Sequence, residues 1–140
     1  MEHFVIYTNL HKDKNMTVTN RIREYLTAHG KRCVVIGKEL RAESDPFVLP
    51  EGADCMIVLG GDGTMLQAAW DVKISNIPMI GVNLGTLGYM TEIEPADLEE
   101  SLDCLMEGRF SIESRMMLQG SVFCGDRKEE EWALNDIVIS

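Results

Sequence analysis

The sequence predicts an α/β protein built on a doubly wound, mainly parallel sheet. Three observations carry this. Strand-like runs alternate with helix-period segments from residue 1 to about 109. The run Asp54–Leu59 (DCMIVL) is continuously apolar, as expected of a strand covered on both faces. Two of the strands are followed by glycine-rich loops, which in open α/β sheets line the ligand crevice.

The elements read as follows. His3–Thr8 (HFVIYT) is β-branched and aromatic, a first strand. Asn15–Ala28 is a helix, with Val18, Ile22, Tyr25 and Leu26 on one face and Gly30 at the stop. Arg32–Ile36 is a second strand, and the polar stretch 37–52, with Pro46 and Pro50, reads as a loop with room for one short helix. After the third strand, Asp54–Leu59, comes a helix from Thr64 to about Val72. Ile77–Val82 is a fourth strand. Pro95–Glu107 is a helix that Pro95 opens and Gly108 ends. Phe110–Leu118, Gln119–Cys124 and Glu131–Ile139 then look like strands with no helix between them, and Gly125-Asp126 suits a turn. This change divides the chain into an α/β domain at 1–109 and, at 110–140, the first strands of a β-rich unit. Two or three strands alone are marginal. They are expected to continue beyond Ser140, or to pair with the first domain or another copy.

Composition narrows the function. A chain of 140 residues suffices for one ordinary domain, and 45% hydrophobic content excludes a disordered one. No apolar run approaches the ~20 residues of a membrane span. The N-terminus lacks the basic and apolar regions of a signal peptide. Four cysteines without zinc or CxxC spacing read as reduced, mostly buried thiols, so a cytoplasmic location is expected. The histidines, His3, His11 and His29, are scattered. A net charge of −10 argues against nucleic acid as a partner. The charge is uneven: residues 1–50 carry 8 basic and 6 acidic side chains, residues 51–140 carry 5 and 17. Between 51 and 108 the only basic side chain is Lys73.

That acidic stretch holds the strongest motif, Gly60-Gly61-Asp62-Gly63-Thr64, between a buried strand and a helix. Successive glycine amides backed by a helix N-terminus form an anion site. The alternative is a tight turn with an Asp cap. It is not a Walker A loop, which needs GxxxxGK[ST]. Nor is it the dinucleotide fingerprint, since Leu66 stands where the third glycine would. Without a loop lysine, phosphate here calls for amides, the helix end and a divalent metal such as Mg²⁺ as counter-charge. Asp62 would accept a proton from a hydroxyl nucleophile or help hold the metal.

The second loop runs from Asn83 through Gly85 and Gly88 to Tyr89. Asn83 could bond a ribose or phosphate and Tyr89 could stack on a base, or both could serve the turn. Asn135-Asp136 interrupts an apolar run, either as a bulge or as a pair aimed at sugar hydroxyls.

Together GGDGT at 60–64, GVNLGTLGYMTEIE at 81–94 and ALNDIVIS at 133–140 resemble the NAD kinase family, in its order and at roughly its intervals. GGDGT alone is shared with diacylglycerol- and sphingosine-type lipid kinases. The other two blocks are far more specific. The resemblance covers essentially the whole chain and implies a Rossmann-like, phosphofructokinase-like N-terminal domain, with a larger β-rich domain to follow. It implies phosphoryl transfer from ATP or polyphosphate, with Mg²⁺, to the 2′-hydroxyl of the NAD adenosine ribose. Asp62 would be the catalytic carboxylate, and Gly60, Gly61, Gly63 and Thr64 the phosphate loop. Tyr89 stands where the family usually has Phe near the adenosine. Asn135 and Asp136 fall on the pair that binds NAD, with Asp in place of the more common Glu. The alternatives are a lipid or small-alcohol kinase sharing the GGDGT loop, and a non-catalytic nucleotide-binding module. Exposed strand edges at the C-terminal end predict a homo-oligomer.

Overall fold

The computed structural model describes residues 1–37, 48–72, 75–85, 90–118 and 131–139. Tyr89, Lys73, Cys124, the strand expected at 119–124 and the turn at 125–126 lie outside them. Six strands form one sheet: β1 (His3–Tyr7), β2 (Arg32–Ile36), β3 (Cys55–Gly60), β4 (Met79–Asn83), β5 (Phe110–Leu118) and β6 (Glu131–Ile139). Their order is β2-β1-β3-β4-β6-β5. Every pairing is parallel except β5 with β6, which is antiparallel from Phe110↔Ile139 to Leu118↔Glu131.

Among the described residues three α-helices pack on the sheet: α1 (Thr17–Ala28), α2 (Asp62–Asp71) and α3 (Leu98–Glu107). Alternation along the strands sends side chains to opposite faces. Phe4, Ile6, Ile57 and Leu59 meet Ile22 and Leu26 of α1 and Leu98, Leu102 and Leu105 of α3. Val5, Tyr7, Met56 and Val58 meet Met65, Ala68 and Ala69 of α2 on the other face. Covered twice, β1, β3 and β4 are buried along their whole length, as the unbroken apolar run in β3 requires. At the surface Arg21 joins α1 to α3 with a fork onto Glu99, which holds that carboxyl below its ordinary range. Of the described cysteines, Cys55 and Cys104 are buried and Cys33 half-buried, and all three are free thiols. Burial pushes the Cys33 thiol up to about 11.

The strands after residue 109 extend this same sheet. Asp136 of β6 pairs with Met79 at the start of β4, and Ile137 enters the core beneath α3. Farther along β4 its edge is taken by Ile93. That residue pairs with Val82, accepts the Asn83 amide at 2.8 Å and donates to the Gly81 carbonyl at 3.0 Å.

Candidate functional site

The strand order reverses beside β1. The chain passes from β1 outward to β2, then crosses back to β3 on the other side. A crevice opens at the carboxyl ends of strands where such a reversal occurs. Here it is a cavity of about 450 Å³, lined by Tyr7, Thr8, Asn9 and Lys12 beyond β1 and by Gly61, Gly63, Thr64 and Gln67 beyond β3.

The glycine loop forms the β3 wall. Gly60 ends β3 with φ +153°, and a Cβ there would lie 2.3 Å from Thr64 Oγ1, so only glycine fits. Gly61 caps α2, which places Asp62 in the first turn. Thr64 Oγ1 accepts a hydrogen bond from Asn9 Nδ2 at 3.1 Å, which joins the two walls. The β1 wall is held by Asp13. Its buried carboxylate accepts the amides of Val18 at 2.9 Å and Thr19 at 2.8 Å and the Thr19 hydroxyl at 2.5 Å. These bonds offset the left-handed backbone of Asn15 (φ 60°) and Met16 (φ 55°) at the entry to α1. Below the cavity, Tyr7 donates its hydroxyl to Asp71 at 2.8 Å and Gln67 its amide at 3.3 Å.

Asp62 faces the other way. Its Oδ1 accepts the Met90 amide at 2.9 Å, across the loop that follows β4. The two glycine loops are tied at their roots, where the Leu84 amide donates to the Gly60 carbonyl at 2.9 Å. Asn83 is buried and serves its own loop, accepting from the Gly85 amide at 3.1 Å and donating to Glu94 at 3.3 Å. Thus Gly60, Gly61, Asp62, Gly63, Thr64 and Asn83 come together at one rim. Asn135 and Asp136 do not join them. Asp136, which is buried, is level with Met79 and Met56, four rungs and about 13 Å along the sheet from Gly60 and Asn83.

The sequence reading missed the β1 wall. Its signal was the carboxyl end of a first strand in an alternating α/β pattern, combined with a strand order that only pairing reveals. It also found no lysine near the phosphate loop except Lys73. The fold supplies Lys12, whose Nζ lies 3.8 Å from where a Cβ on Gly85 would sit. Among the described residues no group of three or more His, Cys, Asp or Glu side chains could hold a metal. A magnesium ion here would be held mainly by the ligand's phosphates, with Asp62 the carboxylate at hand.

Fold and loops together define a doubly wound α/β protein with a glycine-walled crevice at its switch point, a type of site suited to phosphorylated ligands. Residues 10–110 match the family description "ATP-NAD kinase N-terminal domain". The chain belongs to the NAD kinase family. It is 39% identical over 147 residues to the NAD kinase of Lachnospira eligens and 41% over 145 to that of Lachnoclostridium phytofermentans. Both alignments span 100% of this chain but 50% and 51% of the relatives, so the chain spans about half the length of the curated relatives it matches. An NAD kinase from Archaeoglobus fulgidus, solved in complex with ATP, superposes with a TM-score of 0.55 at 24% identity, over 86% of this chain and 43% of the other. A yeast NADH kinase complexed with NADH gives 0.57 at 17%, over 95% and 46%. These two likenesses establish the shared fold. No described helix is long and apolar enough to cross a membrane.

Proposed function

We propose that these residues form the N-terminal half of an NAD kinase. It transfers the terminal phosphoryl group of ATP or polyphosphate to the 2′-hydroxyl of the NAD adenosine ribose, giving NADP. The observation that carries this reading is the placement of Asp62, one residue into α2 and held across the mouth between two tied glycine loops. There its carboxylate takes the hydroxyl proton as the ribose oxygen bonds to phosphorus and the bond to the leaving phosphate breaks. Amides of Gly61, Gly63 and Thr64 hold phosphate. Mg²⁺ supplies charge neutralisation on the donor when bound. Tyr89 contacts the adenosine.

Asn135 and Asp136 are the family's NAD-contact pair by motif. Their distance from Gly60 along the sheet leaves their role to the remainder of the protein. Residues 110–140 open the β-rich domain of that longer protein, and the 140 residues alone turn over far more slowly than the ~1–100 s⁻¹ of typical kinases. The location is cytoplasmic. Among the described residues β5 is the outermost strand of the sheet and Ile112 on it is 49% exposed, which favours self-association; light scattering would test this by showing species above the monomer mass.

The functional test is NADP formation by the longer protein, with NAD and diacylglycerol compared as acceptors. Phosphorylation of NAD alone is expected. Turnover of diacylglycerol without NAD would replace this reading with a lipid kinase.

A further inference from the structure

Gly81 stands in the middle of β4, between Ile80 and Val82, where a side chain would otherwise add packing. A glycine in a strand interior marks a close approach by another part of the chain. Two residues make that approach. A Cβ on Gly81 would lie 2.8 Å from Thr91 Cγ2, 2.9 Å from Thr91 Cα and 3.1 Å from Met65 Sδ. Thr91 and Met65 therefore meet over the bare backbone of Gly81. Each stands next to one half of a bond already described. Met65 lies three residues along α2 from Asp62, on the same side of the helix. Thr91 follows Met90, whose amide donates to Asp62 Oδ1 at 2.9 Å.

The segment 90–93 is held elsewhere as well. Met90 packs against the core on the α2 face of the sheet, and Ile93 sits in the core on the other face. The Ile93 amide donates to the Gly81 carbonyl at 3.0 Å. Thr91 itself is 5% exposed, and its hydroxyl has no hydrogen-bond partner among the described residues. What it delivers over Gly81 is its methyl group.

We infer that Thr91 is a positioning residue for Asp62. Its methyl, seated in the notch left by Gly81, sets the Met90 amide against the carboxylate and fixes the direction in which that carboxylate faces. The inference rests on the kinase reading above, which makes Asp62 the base. Misplacing a reacting group by ~1 Å can cost roughly 10²-fold in rate, so a shift of a few tenths of an ångström is enough to register.

The test compares substitutions in the longer protein, read as NADP formation. Thr91→Ser removes the methyl and keeps the hydroxyl. It is expected to lower kcat by about tenfold and to leave the KM for NAD and for the donor within about twofold. Thr91→Val keeps the methyl and is expected to turn over at the parent rate. In an Asp62→Asn background, Thr91→Ser is expected to cost nothing further, because Thr91 acts through that carboxylate. A role in packing alone would lower kcat by the same factor in both backgrounds and would overturn the inference. Parent turnover in Thr91→Ser would do the same. So would a loss in Thr91→Val, which would place the work on the hydroxyl.

A second arm needs no turnover. In the 140-residue chain, Thr91→Ser is expected to speed hydrogen exchange of the Met90 amide by about tenfold or more relative to that of Ile57 in β3, and Thr91→Val is not. Equal changes at Met90 and Ile57 would sink this inference alone. A Met90 amide that depends on the methyl, with no NADP formed by the parent, would sink the kinase reading and leave the seating of Asp62 in place.

Discussion

The loop Gly60–Thr64 has two faces that differ in kind. Toward β1 it meets neutral donors and an ammonium group. Toward β4 it meets a carboxylate, an amide and a second glycine loop. One short loop therefore separates a surface suited to anions from a surface suited to accepting a proton. A phosphoryl transfer needs both within a few ångströms of each other, and needs them not to cancel. The helix turn at Asp62 achieves this by pointing the carboxylate away from the cavity that its neighbours Gly61 and Gly63 line.

The largest effect is expected from removing the charge on one face only. Asp62→Asn lowers turnover in the longer protein by about 10²–10⁴-fold, the usual weight of general-base catalysis. It leaves tripolyphosphate binding to the 140-residue chain undiminished. Near-parent turnover, measured as NADP formed, would show that the two faces do not divide the work in this way.

Next comes the loop's own shape. Gly60→Ala forces a Cβ against Thr64 at a left-handed φ and should cost about 2–4 kcal/mol in urea unfolding. A loss below about 1 kcal/mol would mean that the loop can rearrange and that its two faces are not rigidly opposed. Thr64→Ala is milder. It deletes the Asn9–Thr64 bond that joins the cavity walls, at a cost of about 1 kcal/mol by the same measurement.

The smallest effect lies at the opposite rim, where Asp54 accepts the amides of Glu2 at 2.8 Å and His3 at 3.0 Å. Those bonds hold its carboxyl below the ordinary aspartate range. A depressed carboxyl stabilises the fold above its unfolded pKa, and that contribution is lost as pH falls through the folded one. Asp54→Asn should therefore lie below the parent in stability at neutral pH, by no more than about 1 kcal/mol at so exposed a site, and converge on it as pH falls through the folded pKa of Asp54. Parallel pH profiles would remove Asp54 as the cause.

Much of this architecture was legible in the residues. DCMIVL read as a strand covered on both faces, which the fully buried β3 bears out, and GGDGT as a turn between that strand and a helix. Gly108 marked where α3 stops. What remained hidden was pairing between distant segments. Nothing local to TNLHK marks Lys12 as a neighbour of residues 61–67, because that depends on β3 returning across β1. Likewise the ALNDIVIS block gives no sign that Asp136 will sit level with Met79, low on β4, rather than beside Asn83. Charge counted along the chain misled for the same reason. The acidic stretch 51–108 takes its cation from residue 12, across the fold.

Ile93 occupies the upper edge of β4, so β6 reaches that strand at its foot, with Met79↔Asp136 the pair in register. The β5–β6 ribbon is thus stitched closely to itself and sparingly to everything else. Ile137 anchors it in the core, and away from that residue the ribbon can open with little disturbance of β1, β3 and β4. Amides of the ribbon should exchange with solvent at a lower free energy than those of the three central strands.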